Sequence, residues 1–350
     1  MNENNSSEQS MQELLRKLRE ASDPANLPTI SMNDLYENIY RSRPPIIDGL
    51  LYPGTYLFVG APKIGKSFFV AQLAYHISTG RPLWGHSVQQ GTVLYLALED
   101  DYRRLQERFF RMFGEEGTDN LCLAISSKNL GGGLEEQLRK FVQKHPSTNL
   151  IIIDTFQKIR ESNGERLSYA NDYEVVGKLK RLADACGICL LLVHHTRKQQ
   201  ADDRFDMISG TTGLLGAADG AFLLQKERRT DGVATLDVSG RDQQDQRIFL
   251  KRDPERLVWD LVKTETDLWV EPPDPILEAV STLVTAESPT WSGTATDLVA
   301  ALKTDLKPNA LAMRLNVRAG KLATEHHIRY ESDRTHAGRR IRLALEEPAA

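Results

Sequence analysis

Residues Gly60 to Ser67 read Gly-Ala-Pro-Lys-Ile-Gly-Lys-Ser, the G-x-x-x-x-G-K-[ST] spacing of a phosphate-binding loop. In such a loop the glycines let the backbone curl until its N–H groups and the N-terminus of the next helix face a phosphate chain. Lys66 then reaches the β- and γ-phosphates and Ser67 ligates Mg²⁺. The expected nucleotide contacts are Gly60, Ala61, Pro62, Lys63, Ile64, Gly65, Lys66, Ser67 and Phe68, with ATP and Mg²⁺ as cofactors. The context agrees: Tyr56-Leu57-Phe58-Val59 before the loop is a short run of strand formers. After it, Phe68, Phe69, Ala71, Leu73, Ala74 and Ile77 recur at helical spacing.

Further carboxylates extend the chemistry from binding to hydrolysis. Leu150-Ile151-Ile152-Ile153-Asp154 is an apolar strand ending in an acid, which places Asp154 to orient Mg²⁺ with Ser67. Thr92 to Leu98 runs into Glu99, Asp100 and Asp101. Glu99, at the mouth of that strand, is the candidate base that holds the attacking water. The same acidic cluster also suits capping of a helix over Tyr102 to Phe113, because Asp favours a helix N-terminus. Ile188 to Val193 ends in His194-His195-Thr196-Arg197-Lys198, where His195 is a candidate sensor of the γ-phosphate; solvated strand-end histidines are the plainer alternative. Adjacent strand residues point to opposite faces, so the two histidines are poor joint metal ligands. A long polar stretch follows, from Arg197 to Gly216, and Arg197, Lys198 and Arg204 in it are candidate contacts to nucleic-acid phosphates.

These residues need a scaffold that gathers strand ends. Apolar runs at 56–59, 92–98, 121–125, 150–153, 188–193 and 220–225 alternate with helical stretches. That pattern implies an α/β fold with a mostly parallel sheet covered on both faces. Runs at 235–239 and 248–251 read as an antiparallel extension. The boundaries expected are a polar tail at 1–26 with a short amphipathic helix over Met11 to Glu20, a core domain at 27–271, a Pro-rich linker at 272–275 and a small module at 276–345. In that module, helices at 276–285, 294–303 and 308–325 precede strands at 328–332 and 339–345, the ordering of a winged helix.

Of the 350 residues, 40% are hydrophobic and 26% charged, an ordinary soluble composition. No apolar run approaches the roughly 18 residues of a spanning helix, and no signal-peptide pattern opens the chain, so a cytoplasmic, membrane-free location is expected. A net charge of −4 gives no global attraction to nucleic acid. Cys122, Cys186 and Cys189 are too few for a disulfide framework, and the Cys186-Gly-Ile-Cys189 spacing reads as two buried thiols rather than a metal site.

Taken together, the P-loop, the strand ending in Glu99, Asp154-Thr155 and the His194 to Lys198 run before a Ser/Gly-rich loop resemble the RecA-type ATPases. Within these, the hexameric replicative helicases of the plasmid RepA kind are the nearer likeness and DnaB the more distant, over about Pro45 to Lys251. The resemblance implies a RecA-like P-loop ATPase core and a homo-hexameric ring around single-stranded DNA. It also implies an ATP site completed by an arginine from the neighbouring subunit, and a primase or replication initiator as partner. Ser239-Gly240-Arg241-Asp242 looks like the position of that arginine, with a surface arginine as the alternative for Arg241. The basic residues of the C-terminal module, among them Arg314, Arg318 and Arg339, suit phosphate contacts to duplex DNA, though winged helices also dock proteins. Rival activities on the same core are an ATP-regulated DNA-binding regulator and a recombination ATPase.

Overall fold

Strands made of uninterrupted Val, Ile and Leu bury both faces, and a chain that alternates them with helices covers a parallel sheet from two sides. A computed structural model shows this arrangement, describing residues 27, 29–40, 43–160, 169–195, 212–226, 228, 231–241, 243–266, 273–335 and 338–346. Arg43–Val270 form one compact unit. The described residues before it, with helix α1 (Met32–Glu37), and those after it form a second.

In the larger unit, β1 (Gly54–Gly60), β2 (Thr92–Ala97), β3 (Leu121–Ala124), β4 (Thr148–Asp154), β5 (Cys189–His195) and β6 (Gly220–Gln225) pair in parallel. Strands β7 (Val233–Gly240), β8 (Gln243–Arg252) and β9 (Trp259–Thr266) continue the sheet antiparallel. The order across the nine strands is β3-β2-β4-β5-β1-β6-β7-β8-β9. Between the strands run α2 (Lys66–Thr79), α3 (Tyr102–Phe113), α4 (Leu134–Lys144), α5 (Tyr169–Cys186) and α6 (Thr212–Ala217). Separate buried clusters lie on the two faces, one around Phe58, Phe69, Tyr95 and Trp259 and the other around Leu57, Ile151, Phe156 and Leu190. Helix α2 packs on the first face and α5 on the second.

After the larger unit come α7 (Pro275–Leu283), β10 (Thr290–Thr294), α8 (Ala295–Leu302), α9 (Pro308–His326), β11 (Ile328–Thr335) and β12 (Gly338–Leu345). The sheet they form has the order β10-β12-β11 and is antiparallel. Asp274 accepts from Ile276 N at 2.9 Å and Pro275 opens α7, so this end of the proline stretch is a helix start rather than linker.

Other features also depart from the expected layout. Leu27 to Tyr40 does not open the ATPase unit: α1 belongs to the C-terminal unit, where Ile39 packs on its core and Asn316 Nδ2 donates to Tyr36 O and Glu37 O at 3.0 and 3.1 Å. Strand β9 was not among the expected runs, because it is a charged edge strand whose buried anchor is Trp259, with Asp260, Lys263 and Glu265 beyond it. Cys189 is buried as expected, but Cys186, at the C-terminus of α5, is only half-buried. The expected helix at 11–20 lies outside the described residues. Among the described residues no helix is long and apolar enough to cross a membrane.

Candidate nucleotide site

Parallel pairing brings the C-terminal ends of five strands to one edge. Gly60 at the end of β1 is in register with His195 of β5 and Leu224 of β6, Asp154 of β4 with Val193, and Ala97 of β2 with Asp154. Residues 66, 99, 154 and 195, far apart in sequence, therefore meet at the mouth of the sheet, where open α/β folds place ligands.

The loop between β1 and α2 is curled by residues in left-handed conformation, Lys63 (φ 65°) and Gly65 (φ 109°). Gly65 is required twice over, because a Cβ there would also come within 2.9 Å of Trp259 Cζ2. Trp259 is itself held by the Gln72 side chain of α2, which donates to Trp259 O at 2.9 Å and accepts from Trp259 N at 2.7 Å. The start of β9 thus buttresses the phosphate-binding turn. The Phe68 ring carries the guanidinium groups of Arg252 and Arg108 at 4.3 and 5.1 Å, so this side chain braces the start of α2.

Lys66 is 6% exposed. Its ammonium donates to Gly60 O at 2.7 Å, to Ala61 O at 3.0 Å and to His195 Nδ1 at 3.0 Å. An ammonium has no lone pair, so the imidazole Nδ1 accepts. Burial brings the Lys66 pKa down to about 8, against the opposing pull of Asp154 and Glu99. Burial, and then the neighbouring Lys66, lower that of His195. His194, the next residue back, is buried edge-on against Phe156, so the two histidines diverge as strand neighbours must.

Asp154 is also buried, 6% exposed, and burial raises its carboxyl pKa while Ser67 and Tyr95 act to lower it. The Tyr95 hydroxyl donates to Asp154 Oδ2 at 2.9 Å. The Asp154–Thr155 peptide is cis. The three acids after β2 divide their work. Glu99 accepts from Thr155 Oγ1 at 3.2 Å beside the Asp154 strand end. Asp100 pairs with Arg108 at 2.7 Å, both largely buried, and Asp101 caps α3 by accepting from Arg104 N at 2.8 Å. Capping therefore accounts for Asp101 alone.

Other candidates lie elsewhere. Gly240 of β7 pairs with Gly220 at the start of β6, so Arg241 sits at the sheet edge opposite the P-loop; its guanidinium donates to Gly216 O at 3.0 Å. Arg197, Lys198 and Arg204 lie outside the described residues. In the C-terminal unit, Arg314 forks onto Asp274 at 2.8 and 3.2 Å, Arg318 follows one turn later on α9, and Arg339 is paired with Glu37 at 3.8 Å. Sequence reading missed Tyr95 and Arg108. The available signals were a lone hydroxyl in the otherwise aliphatic run Val93 to Leu98, and an arginine two turns after the acidic cluster.

The donor set suits a nucleoside triphosphate with Mg²⁺. The Lys66 ammonium sits inside a glycine-curled turn at a helix N-terminus, and Ser67 and Asp154 supply hard oxygen ligands for a divalent ion. Among the described residues no group of three or more His, Cys, Asp or Glu is arranged around a metal.

A family model described as an AAA domain, AAA_25, matches residues 21–201, just over half of the chain. A structure solved as an ATPase domain has a similar fold, with a TM-score of 0.52 at 12% identity over 73% of this chain and 98% of that one. A DnaB-like replicative helicase, solved for its structure and its interactions with primase, gives a TM-score of 0.51 at 14% identity over 71% of each chain. At these identities the likeness is one of fold. No curated protein matches the sequence.

Proposed function

We propose, starting from the fact that the chain belongs to the AAA_25 family of AAA domains, that it is an ATP- and Mg²⁺-dependent motor that assembles as a hexameric ring on DNA. Its task is that of a replicative helicase of a plasmid or other mobile element. The observation that carries the reading is the convergence of Lys66, Ser67, Glu99, Asp154 and His195 at one sheet edge. The likeness in fold to a DnaB-like replicative helicase turns that reading from ATPase toward helicase.

In this proposal the backbone of Gly60 to Ser67 cradles the phosphates and Lys66 leaves its two carbonyls to meet the β- and γ-oxygens. Ser67 and Asp154 would hold Mg²⁺, which would supply positive charge to neutralise that developing on the phosphates. Glu99 receives a proton from the attacking water, with Thr155 fixing the carboxylate. His195, already on the Lys66 ammonium, reports whether a γ-phosphate has drawn that ammonium away. Arg241 serves the site of the next subunit, since it lies on the far edge of its own sheet. Arg197, Lys198 and Arg204 contact single-stranded DNA in the ring. The C-terminal unit, whose order of helices and strands is that of a winged helix, contacts duplex DNA through α9 and the β11–β12 hairpin, or a primase or replication initiator.

ATP-driven strand separation on a forked duplex at low salt, with Lys66→Ala as control, tests the reading. Separation by the wild type that is lost in the variant supports it. ATP hydrolysis that Lys66→Ala leaves at full rate sinks it. The C-terminal unit favours one second reading, an ATP-regulated DNA-binding protein. Tight, sequence-specific duplex binding by the full chain without strand separation would select it.

A further inference from the structure

We propose that Tyr95 is a positioning residue for Mg²⁺, holding the Asp154 carboxylate in the rotation that offers an oxygen to the ion. This rests on the nucleotide-site reading above. Tyr95 is fully buried in the centre of β2, in a run whose neighbours Val93, Leu94, Leu96 and Ala97 are aliphatic. A phenol in such a strand pays a desolvation cost unless its O–H finds an acceptor. The acceptor here is Asp154 Oδ2 on the adjacent strand, at 2.9 Å. Ala97 and Asp154 are in register, so Tyr95 stands two residues before the level of the carboxylate and reaches up to it from inside the sheet.

That geometry leaves the carboxylate one degree of freedom fewer. Asp154 ends its strand, and the phenol limits how its carboxyl turns about the Cβ–Cγ bond. The phenol occupies one lone pair of Oδ2 and leaves Oδ1 to the ion or to a water on it. The Ser67 side chain, at the start of α2, lies within reach of the same carboxylate. Groups of this kind, one step removed from a metal, commonly change its affinity about 10- to 100-fold when removed. A phenylalanine at 95 keeps the ring in the core and deletes only the donor.

The test is binding of a fluorescent ADP analogue to the full chain, with Mg²⁺ titrated at fixed nucleotide and a parallel measurement in EDTA. For Tyr95→Phe the half-saturating Mg²⁺ concentration is expected to rise about tenfold, with affinity in EDTA unchanged. A value within twofold of wild type overturns the proposal. A purely structural role predicts instead that affinity in EDTA falls along with the melting temperature, and that outcome overturns it too. The double variant with Asp154→Asn gives an independent reading: Tyr95→Phe should add nothing to the Mg²⁺ requirement there, and an additive effect counts against the proposal. Failure of the nucleotide reading looks different, since the wild type would then bind no analogue, or Lys66→Ala would bind it equally well.

Discussion

Replacing Lys66 with Met separates what this lysine costs the fold from what it gives the site. Its ammonium is buried in the P-loop and its pKa is brought from 10.5 down to about 8. A base whose pKa is lower in the folded state binds its proton more tightly in the unfolded chain, so stability rises with pH between about 8 and 10.5. Below pH 8 both states are protonated and the penalty is present in full. At about 1.4 kcal/mol for each tenfold change in the ionisation equilibrium, the lowered pKa corresponds to about 3 kcal/mol. Loss of the ammonium's hydrogen bonds to Gly60 O and Ala61 O offsets about 1 kcal/mol of this and leaves about 2 kcal/mol. Methionine keeps the apolar stem and removes the charge. At pH 7 without nucleotide, Lys66→Met should therefore melt about 4–8 °C higher than wild type, at roughly 2–4 °C per kcal/mol for a unit of this size. The gain should shrink toward zero by pH 10. Thermal unfolding of both proteins at pH 7, 8, 9 and 10 measures it, and their difference cancels every other titrating group. MgATP at a hundredfold excess over its Kd should then stabilise wild type by about 2.7 kcal/mol and leave the variant where it was. A variant that melts lower than wild type at pH 7, or a gain that does not fade with pH, refutes the reasoning.

Glu99→Gln should retain nucleotide affinity and lose hydrolysis by about 10²- to 10⁴-fold, measured by steady-state phosphate release beside equilibrium binding; equal losses in both would remove Glu99 from the role of base. Arg241→Ala should bind ATP normally and lose about 10³-fold or more in turnover. Mixing it with Lys66→Ala should restore activity, because each subunit supplies what the other lacks, and an inert mixture would place Arg241 outside the site. Asn316→Ala removes the amide that holds Tyr36 O and Glu37 O and accepts from Tyr330. It should destabilise the C-terminal unit by about 1–3 kcal/mol and speed hydrogen exchange at residues 35–39 while the core strands of the larger unit stay protected.

Much of this architecture was legible because buried parallel strands have a distinctive spelling. Leu150 to Ile153 and Cys189 to Val193 are covered on both faces, so nothing polar interrupts these apolar runs until the edge where ligands sit. The phosphate loop was legible for a different reason: Gly65 is required by its φ and by Trp259 together, and a position so constrained leaves its mark in a short pattern. Contacts that depend on partners distant in sequence left no such mark. Helix α1 carries no buried residue of its own, and its attachment to α9 is made by its carbonyls, which every sequence has. The roles of Glu99, Asp100 and Asp101 were equally hidden, since three adjacent acids differ only in which of Thr155, Arg108 and the α3 amides each one faces.

Strand direction then decides which chemistry one copy of the chain can complete. Every parallel strand delivers its C-terminal residue to the P-loop edge, so Lys66, Glu99, Asp154 and His195 converge however long the segments between them. After β6 the chain turns back, and β7 delivers its last residues to the other edge: Arg241 N bonds Asp219 O, whose own N–H bonds Thr55 O at the start of β1. Thr55 and Gly60 are five residues apart along the strand, roughly 16 Å at about 3.3 Å per residue. A guanidinium on that edge cannot meet a phosphate at its own P-loop without dismantling β7. The fold thus separates the P-loop edge from an arginine-bearing edge by the length of a strand, and in the proposed ring the two edges would act on one triphosphate only where a second copy brings them together.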